Sequence, residues 1–143
     1  MKFGILMAFG LACSWTSVQA DELAQMSRAG GASALAIVET EGLAGAMRLS
    51  AQCMDEVRAG QQSAHYCLGL ESASMMLFRK TTPATLDPAT LDWFNGEAMT
   101  NRVLGYCYTH LELKGNMQCL AQMSQAKAAV TPLLAERGNA ARQ

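Results

Sequence analysis

The sequence predicts an all-α fold, a small bundle of about four to five helices built from two disulfide-stapled helical hairpins. Two observations lead there. Ala, Leu, Met, Glu, Gln and Arg dominate while β-branched residues are few, and no useful stretch alternates apolar with polar residues. In addition, four cysteines are spaced about two predicted turns. At 143 residues the chain has the length of one domain.

The elements follow in order. The first twenty residues read as a cleaved secretory leader, leaving residues 21–143 as a single helical domain. Lys2 supplies the positive start, Phe3 to Ala12 the apolar run, and Val18-Gln19-Ala20 the small residues of a cleavage site before Asp21-Glu22. That run is shorter than the roughly 20 residues a membrane span needs. Gly10-Leu11-Ala12-Cys13 loosely resembles a lipobox, so lipid attachment at Cys13 is the lesser alternative. A short helix is expected over Glu22 to Ala29, ended by Gly30-Gly31, and a longer one from Ser33 to about Arg58. Leu43, Met47, Met54 and Val57 form its apolar stripe, and Gly42 and Gly45 mark a kink or a close helix contact.

Gly60 marks a turn, and Gln61 to Lys80 the next helix, with Cys67, Leu68, Leu70, Met75 and Phe78 on its apolar face. Pro83 to Asp87 and Pro88 to Asp92 repeat one pentapeptide, and Asp87-Pro88 reads as an N-cap followed by proline at the first helical position. One helix is expected from there to about Leu113, with Leu91, Phe94, Met99, Val103 and Tyr106 inward. Asn116 is expected to cap the last helix, whose apolar positions are Met117, Leu120, Met123 and Val130. Thr131-Pro132 should kink it or start a final turn closed by Gly138, and the tail from Asn139 to Gln143 should fray.

Cys53 and Cys67 lie seven residues on either side of Gly60. On a helical hairpin both sit about 10 Å from the tip, within disulfide reach if they face each other. Cys107 and Cys119 repeat the arrangement around the Gly115 turn. Of the three connectivities four cysteines allow, Cys53–Cys67 with Cys107–Cys119 is the one expected. Each bridge would contribute about 3 kcal/mol. An even cysteine count behind a leader points to an oxidising compartment, the bacterial periplasm or the exterior.

A formal net charge of −1 gives no basic face for nucleic acid and no reason to expect binding to anionic lipid. The motifs of attached haem, thioredoxin-like redox pairs, phosphate loops and nucleophile elbows are absent from the sequence. Neither an enzymatic activity nor a cofactor is expected, an enzyme with no recognisable site being a further alternative. A metal-handling alternative would use His65, Cys67, Cys107 and His110 as zinc ligands, or methionines as copper ligands. Met26, Met47, Met54, Met75, Met99, Met117 and Met123 are scattered at helical spacing, which suits core filling instead. Glu71, Asp92, Glu97 and Glu112 read as solvated charges. Tyr106 and Tyr108 lie about 200° apart on a helix, so one is expected buried and the other exposed.

The stretch Cys53 to Gly69, a Cys and a spacer leading to Tyr66-Cys67-Leu68-Gly69, resembles small helical periplasmic immunity proteins, which protect bacteria against injected cell-wall amidases. The resemblance covers fewer than twenty residues, and the Pro-Cys ending common in those proteins is missing. It implies an inhibitor-like role. The expectation is therefore a non-enzymatic binding, adaptor or inhibitor protein whose partner is another protein, with Trp93 and Tyr108 as anchor residues.

Overall fold

The computed structural model describes residues 14–140. It is all-α, and both expected disulfides are present. The leader's charged start and apolar run, with Cys13, lie outside the described residues, as does the tail beyond Ala140. Helix α1 spans Ser14–Arg58, α2 Ala64–Phe78, α3 Pro88–Phe94, α4 Gly96–Gly105 and α5 Asn116–Ala140. A 3₁₀ turn, Pro83–Thr85, precedes α3, and a π-helical turn, Tyr106–His110, links α4 to α5. Among the described residues, no helix is long and apolar enough to cross a membrane.

Helix α1 folds back on itself. An unbroken helix would separate residues 30 and 53 by about 34 Å. Yet Gly30 lies against Tyr66 and Cys53 is bonded to Cys67, neighbours on α2. The reversal occurs at Gly42, whose φ of 66° lies in the left-handed region that glycine enters without a side-chain penalty. The kink expected around Gly42 and Gly45 is thus a hairpin between two arms, residues 14–41 and 43–58.

The break expected at Gly30-Gly31 is absent, and the helix runs straight through. These glycines serve a contact and not a turn. A Cβ at Gly30 would overlap the backbone carbonyl of Tyr66, and one at Gly69 the carbonyl of Ser27. At Gly31 it would stand 2.7 Å from a Val130 methyl. Ser27 Oγ also donates to the carbonyl of His65 at 3.0 Å, and the Tyr66 hydroxyl to Ser33 Oγ at 2.8 Å.

Helix α2 is the central element. Ser63 caps it by accepting from the His65 N–H, and every residue from Cys67 to Met75 is buried. Such a helix must be enclosed on all sides. The two arms of α1, α4 and α5 enclose it, with Leu68, Leu70, Val103, Tyr106, Val130 and Leu134 in the main core. A smaller core forms where α3 meets the fold-back, with Phe94 stacked on Phe78 at 5.4 Å beside Leu43 and Ala46.

The single helix expected from Pro88 to Leu113 is divided. Asp87 caps α3 as expected, accepting from the Thr90 N–H and hydroxyl at 2.9 and 2.7 Å. These bonds hold its carboxyl below the usual carboxylate range. Asn95 then adopts an extended conformation and caps α4 through its side chain. The two pentapeptide copies differ because Asp87 caps the second, whereas Thr82 makes no side-chain cap before the first.

Asn116 is not the cap of α5. The Gly115 carbonyl accepts the first bonds, from Gln118 and Cys119 at 3.1 and 3.2 Å, and the Asn116 side chain turns to Tyr108. Pro132 and Gly138 do not end α5. Beside the proline, Thr131 Oγ1 donates to the Lys127 carbonyl at 2.8 Å. Cys119, Ala126, Val130 and Leu134 are its buried stripe. Met117 and Leu120, expected among the core positions, are exposed.

Replacing Gly69 by Val should cost at least about 2 kcal/mol, since the backbones of α1 and α2 must part to admit a side chain. Thermal unfolding should show a fall of about 6 °C or more, while Gly115→Ala, with open space around it, should stay close to the parent. Equal melting of the Gly69→Val variant and the parent would refute the close contact.

Candidate functional site

The expected anchor residues lie in different environments. Trp93, at the end of α3, is partly buried, and Arg102 covers its ring with the guanidinium carbon 4.3 Å from the centroid. Tyr108, on the π turn, is 40% exposed and donates its hydroxyl to Asn116 Oδ1. Tyr106 is buried, so the two tyrosines take the opposite placements that their spacing predicts.

The exposed large apolar side chains among the described residues are Tyr108, Met117 and Leu120, with Met117 77% and Leu120 61% exposed. The Tyr108–Asn116 bond sets the first of these beside the start of α5. Leu120 rims a groove of about 510 Å³ between α4 and α5, lined by Met99, Val103, Leu104 and Met123, with Arg79 at its edge. Across Met99 and Met123 the groove continues into a depression of about 320 Å³ lined by Met75 and Met76, with Lys127 at its edge. Four methionines from α2, α4 and α5, Met75, Met76, Met99 and Met123, thus converge on one flank of the bundle. Unbranched thioethers give such a surface the capacity to repack around different shapes.

Cys119 lies between Met117 and Leu120 in sequence, and its bond to Cys107 closes a separation of 12 residues with Cα atoms 5.5 Å apart. The π turn beneath Tyr108 is defined by the Leu111 N–H donating to the Tyr106 carbonyl at 3.0 Å. The staple therefore holds both sides of the apolar face at a fixed spacing.

Cys67 and Cys107 are in disulfides, which removes the thiolates from the zinc set formed with His65 and His110. Nor do three or more His, Cys, Asp or Glu side chains come together as a metal site among the described residues. His65 sits against Gln122, with 3.2 Å between Nε2 and Oε1, and lines a cleft with Leu23 and Ala126. Burial lowers its pKa below the ordinary imidazole value, and the Gln122 bond offsets part of that. His110 lines another cleft, with Arg58 and Tyr106.

Glu71 is the largest departure from expectation. It is fully buried, not solvated. Arg102 Nε and Nη2 donate to its two oxygens at 2.8 and 3.1 Å, Ser50 Oγ donates to Oε1, and Arg102 Nη1 donates to the Trp93 carbonyl at 2.7 Å. A lone carboxylate inside an otherwise uncharged, mostly apolar run is the signal that would have flagged it, because a charge there requires a partner. The partner itself lies 31 residues away, beyond the reach of local pattern.

Removing one member of this pair, by Glu71→Leu or Arg102→Met, should cost about 3–5 kcal/mol, since the other charge is left buried and alone. The double replacement should cost clearly less than the two single losses combined, as read by urea unfolding. Additive losses would mean the pair is not coupled.

His65 contributes a pH dependence of calculable sign. Its folded pKa is below the unfolded value of about 6.5, so its neutral form favours the fold. Its stabilising contribution is fully present above about pH 6.5 and is lost as pH falls through the folded value. Melting temperature should therefore decline on acidification from about pH 7 to pH 5, and less steeply in His65→Asn. Identical slopes in the two proteins would exclude this histidine as the source.

No protein-family model, curated protein or solved structure matches the chain.

Proposed function

We propose that this is an exported, non-enzymatic binding protein of the adaptor or inhibitor kind, which holds a protein partner on the face formed by Tyr108, Met117 and Leu120. The observation that carries the reading is the exposure of Leu120, 61%, at the rim of a methionine-lined groove, with Met117, 77% exposed, one turn before it on α5. Large apolar side chains gathered at a groove are what a protein interface buries, and aromatic residues and methionine are enriched there. The Cys107–Cys119 staple supports the reading because a face already rigid loses less conformational freedom on binding.

Export rests on two features. The paired cysteines suit an oxidising compartment. The leader-like residues 1–20 would, on cleavage after Ala20, leave Asp21 and Glu22 in the first turn of α1, where negative charge favours the helix.

The test places a photo-crosslinking phenylalanine analogue at position 120 of the full chain in its native cells. The expected result is one adduct of defined mass at 1:1 stoichiometry, lost on adding Met117→Glu. Intact mass should show a chain beginning at Asp21 with both disulfides closed. No adduct, or the same adducts from a probe at the exposed Ala36 of α1, would overturn the partner face; an intact leader would overturn export.

A further inference from the structure

A second cleft, of about 390 Å³, opens between the end of α1, α4 and the π turn. Helix α4 divides it from the methionine groove, presenting Asn101, Arg102 and Gly105 to the cleft and Met99, Val103 and Leu104 to the groove. Its polar lining consists of Arg58, Asn101, Arg102, Tyr106, Thr109 and His110, and includes no Asp or Glu. Met54 adds an apolar wall.

The two arginines are not equivalent. Arg102 spends its donors on Glu71 and the Trp93 carbonyl, and its charge is matched inside the core. Arg58, among the described residues, pairs with exposed Asp55 at 3.2 Å, an arrangement that solvent largely screens. Its guanidinium is therefore the cation the cleft has to offer. Tyr106 lines the cleft while only 3% exposed, and its hydroxyl has no hydrogen-bond partner among the described residues. A buried hydroxyl without a partner carries a free-energy cost that a ligand acceptor would relieve. Burial and the neighbouring Glu71 carboxylate raise the Tyr106 pKa, so the hydroxyl keeps its proton and acts as a donor.

We infer that this cleft is an anion-binding site for a small carboxylate carrying a short apolar body. Arg58 supplies the charge and a forked pair of N–H donors suited to a carboxylate. The Tyr106 hydroxyl, buried and unpartnered behind the inner wall, donates to a carboxylate that seats deeply enough to uncover it, and Met54 packs against the apolar body. The volume exceeds that of a bare ion, and the mix of an apolar wall with a few converging polar groups is that of a small-molecule site. The inference goes beyond the partner face and stands without it.

The test is calorimetric titration of the disulfide-intact protein with butyrate, using butyramide as the uncharged isostere and inorganic phosphate as a second oxyanion. Saturable butyrate binding is expected, weakened at least about tenfold by Arg58→Gln and several-fold by Tyr106→Phe. Neither substitution removes a member of the Glu71–Arg102 pair. Tyr106→Phe should melt at or above the parent temperature, because the lost hydroxyl has no protein bond to give up, so weaker binding in that variant is not a folding defect. Absence of saturable binding, equal binding of butyramide, or indifference to both substitutions would overturn the site. Tighter binding of phosphate than of butyrate would overturn the carboxylate assignment.

Discussion

The Glu71–Arg102 ion pair is the interaction on which the rest of the arrangement depends. It lies at the centre of the bundle with both side chains nearly out of solvent, 1% and 8% exposed. Burying two charges is expensive, and the cost is offset by hydrogen bonds to both groups in good geometry. Here Ser50 on α1, Glu71 on α2, the Trp93 carbonyl at the end of α3 and Arg102 on α4 supply them. Four helices are thereby fixed in register by one polar cluster. Apolar packing alone tolerates sliding far better than a bidentate bond does. The same cluster reaches both candidate surfaces, since Arg102 lines the cationic cleft and α4 forms one wall of the methionine groove.

Around that cluster, stability comes from contacts of opposite character. Helices α1 and α2 approach so closely at Ser27, Gly30, Tyr66 and Gly69 that backbone meets backbone, with small residues clearing the way. On the far flank α2, α4 and α5 meet through long, flexible methionines and leave a groove. One side of the central helix is thus packed to the limit and the other is adaptable. The Cys53–Cys67 staple, whose Cα atoms lie 5.9 Å apart, ties the second arm of α1 to the same central helix. The exposed face of Tyr108, Met117 and Leu120 has its own restraint in the Cys107–Cys119 staple.

The cleft and the groove divide the labour of α4 between charge and hydrophobicity. Residues one or two positions apart, Asn101 and Arg102 against Met99 and Val103, look into different environments. The π turn after Gly105 aims Tyr106 inward and leaves Tyr108 outward, which gives each surface one tyrosine. A regular helix through to Leu113 would have continued α4 past the point where the chain must turn back toward α5.

The sequence by itself determined the helical class, the cysteine pairing, the turn at Gly60 and the Asp87 cap. Each is governed by propensity or by a spacing of a few residues, and such effects are local. It left undecided whether a glycine breaks a helix, as at Gly42, or admits a neighbour, as at Gly30 and Gly69, because the residue permits both and the approaching backbone chooses. Periodicity marked Met117 and Leu120 as apolar without saying which face of α5 meets the core. Glu71 read as a surface charge because its partner is remote in sequence. Only the tertiary structure decided these points: burial, pairing and exposure are relations between segments, set when α2 is enclosed, and no single segment carries them.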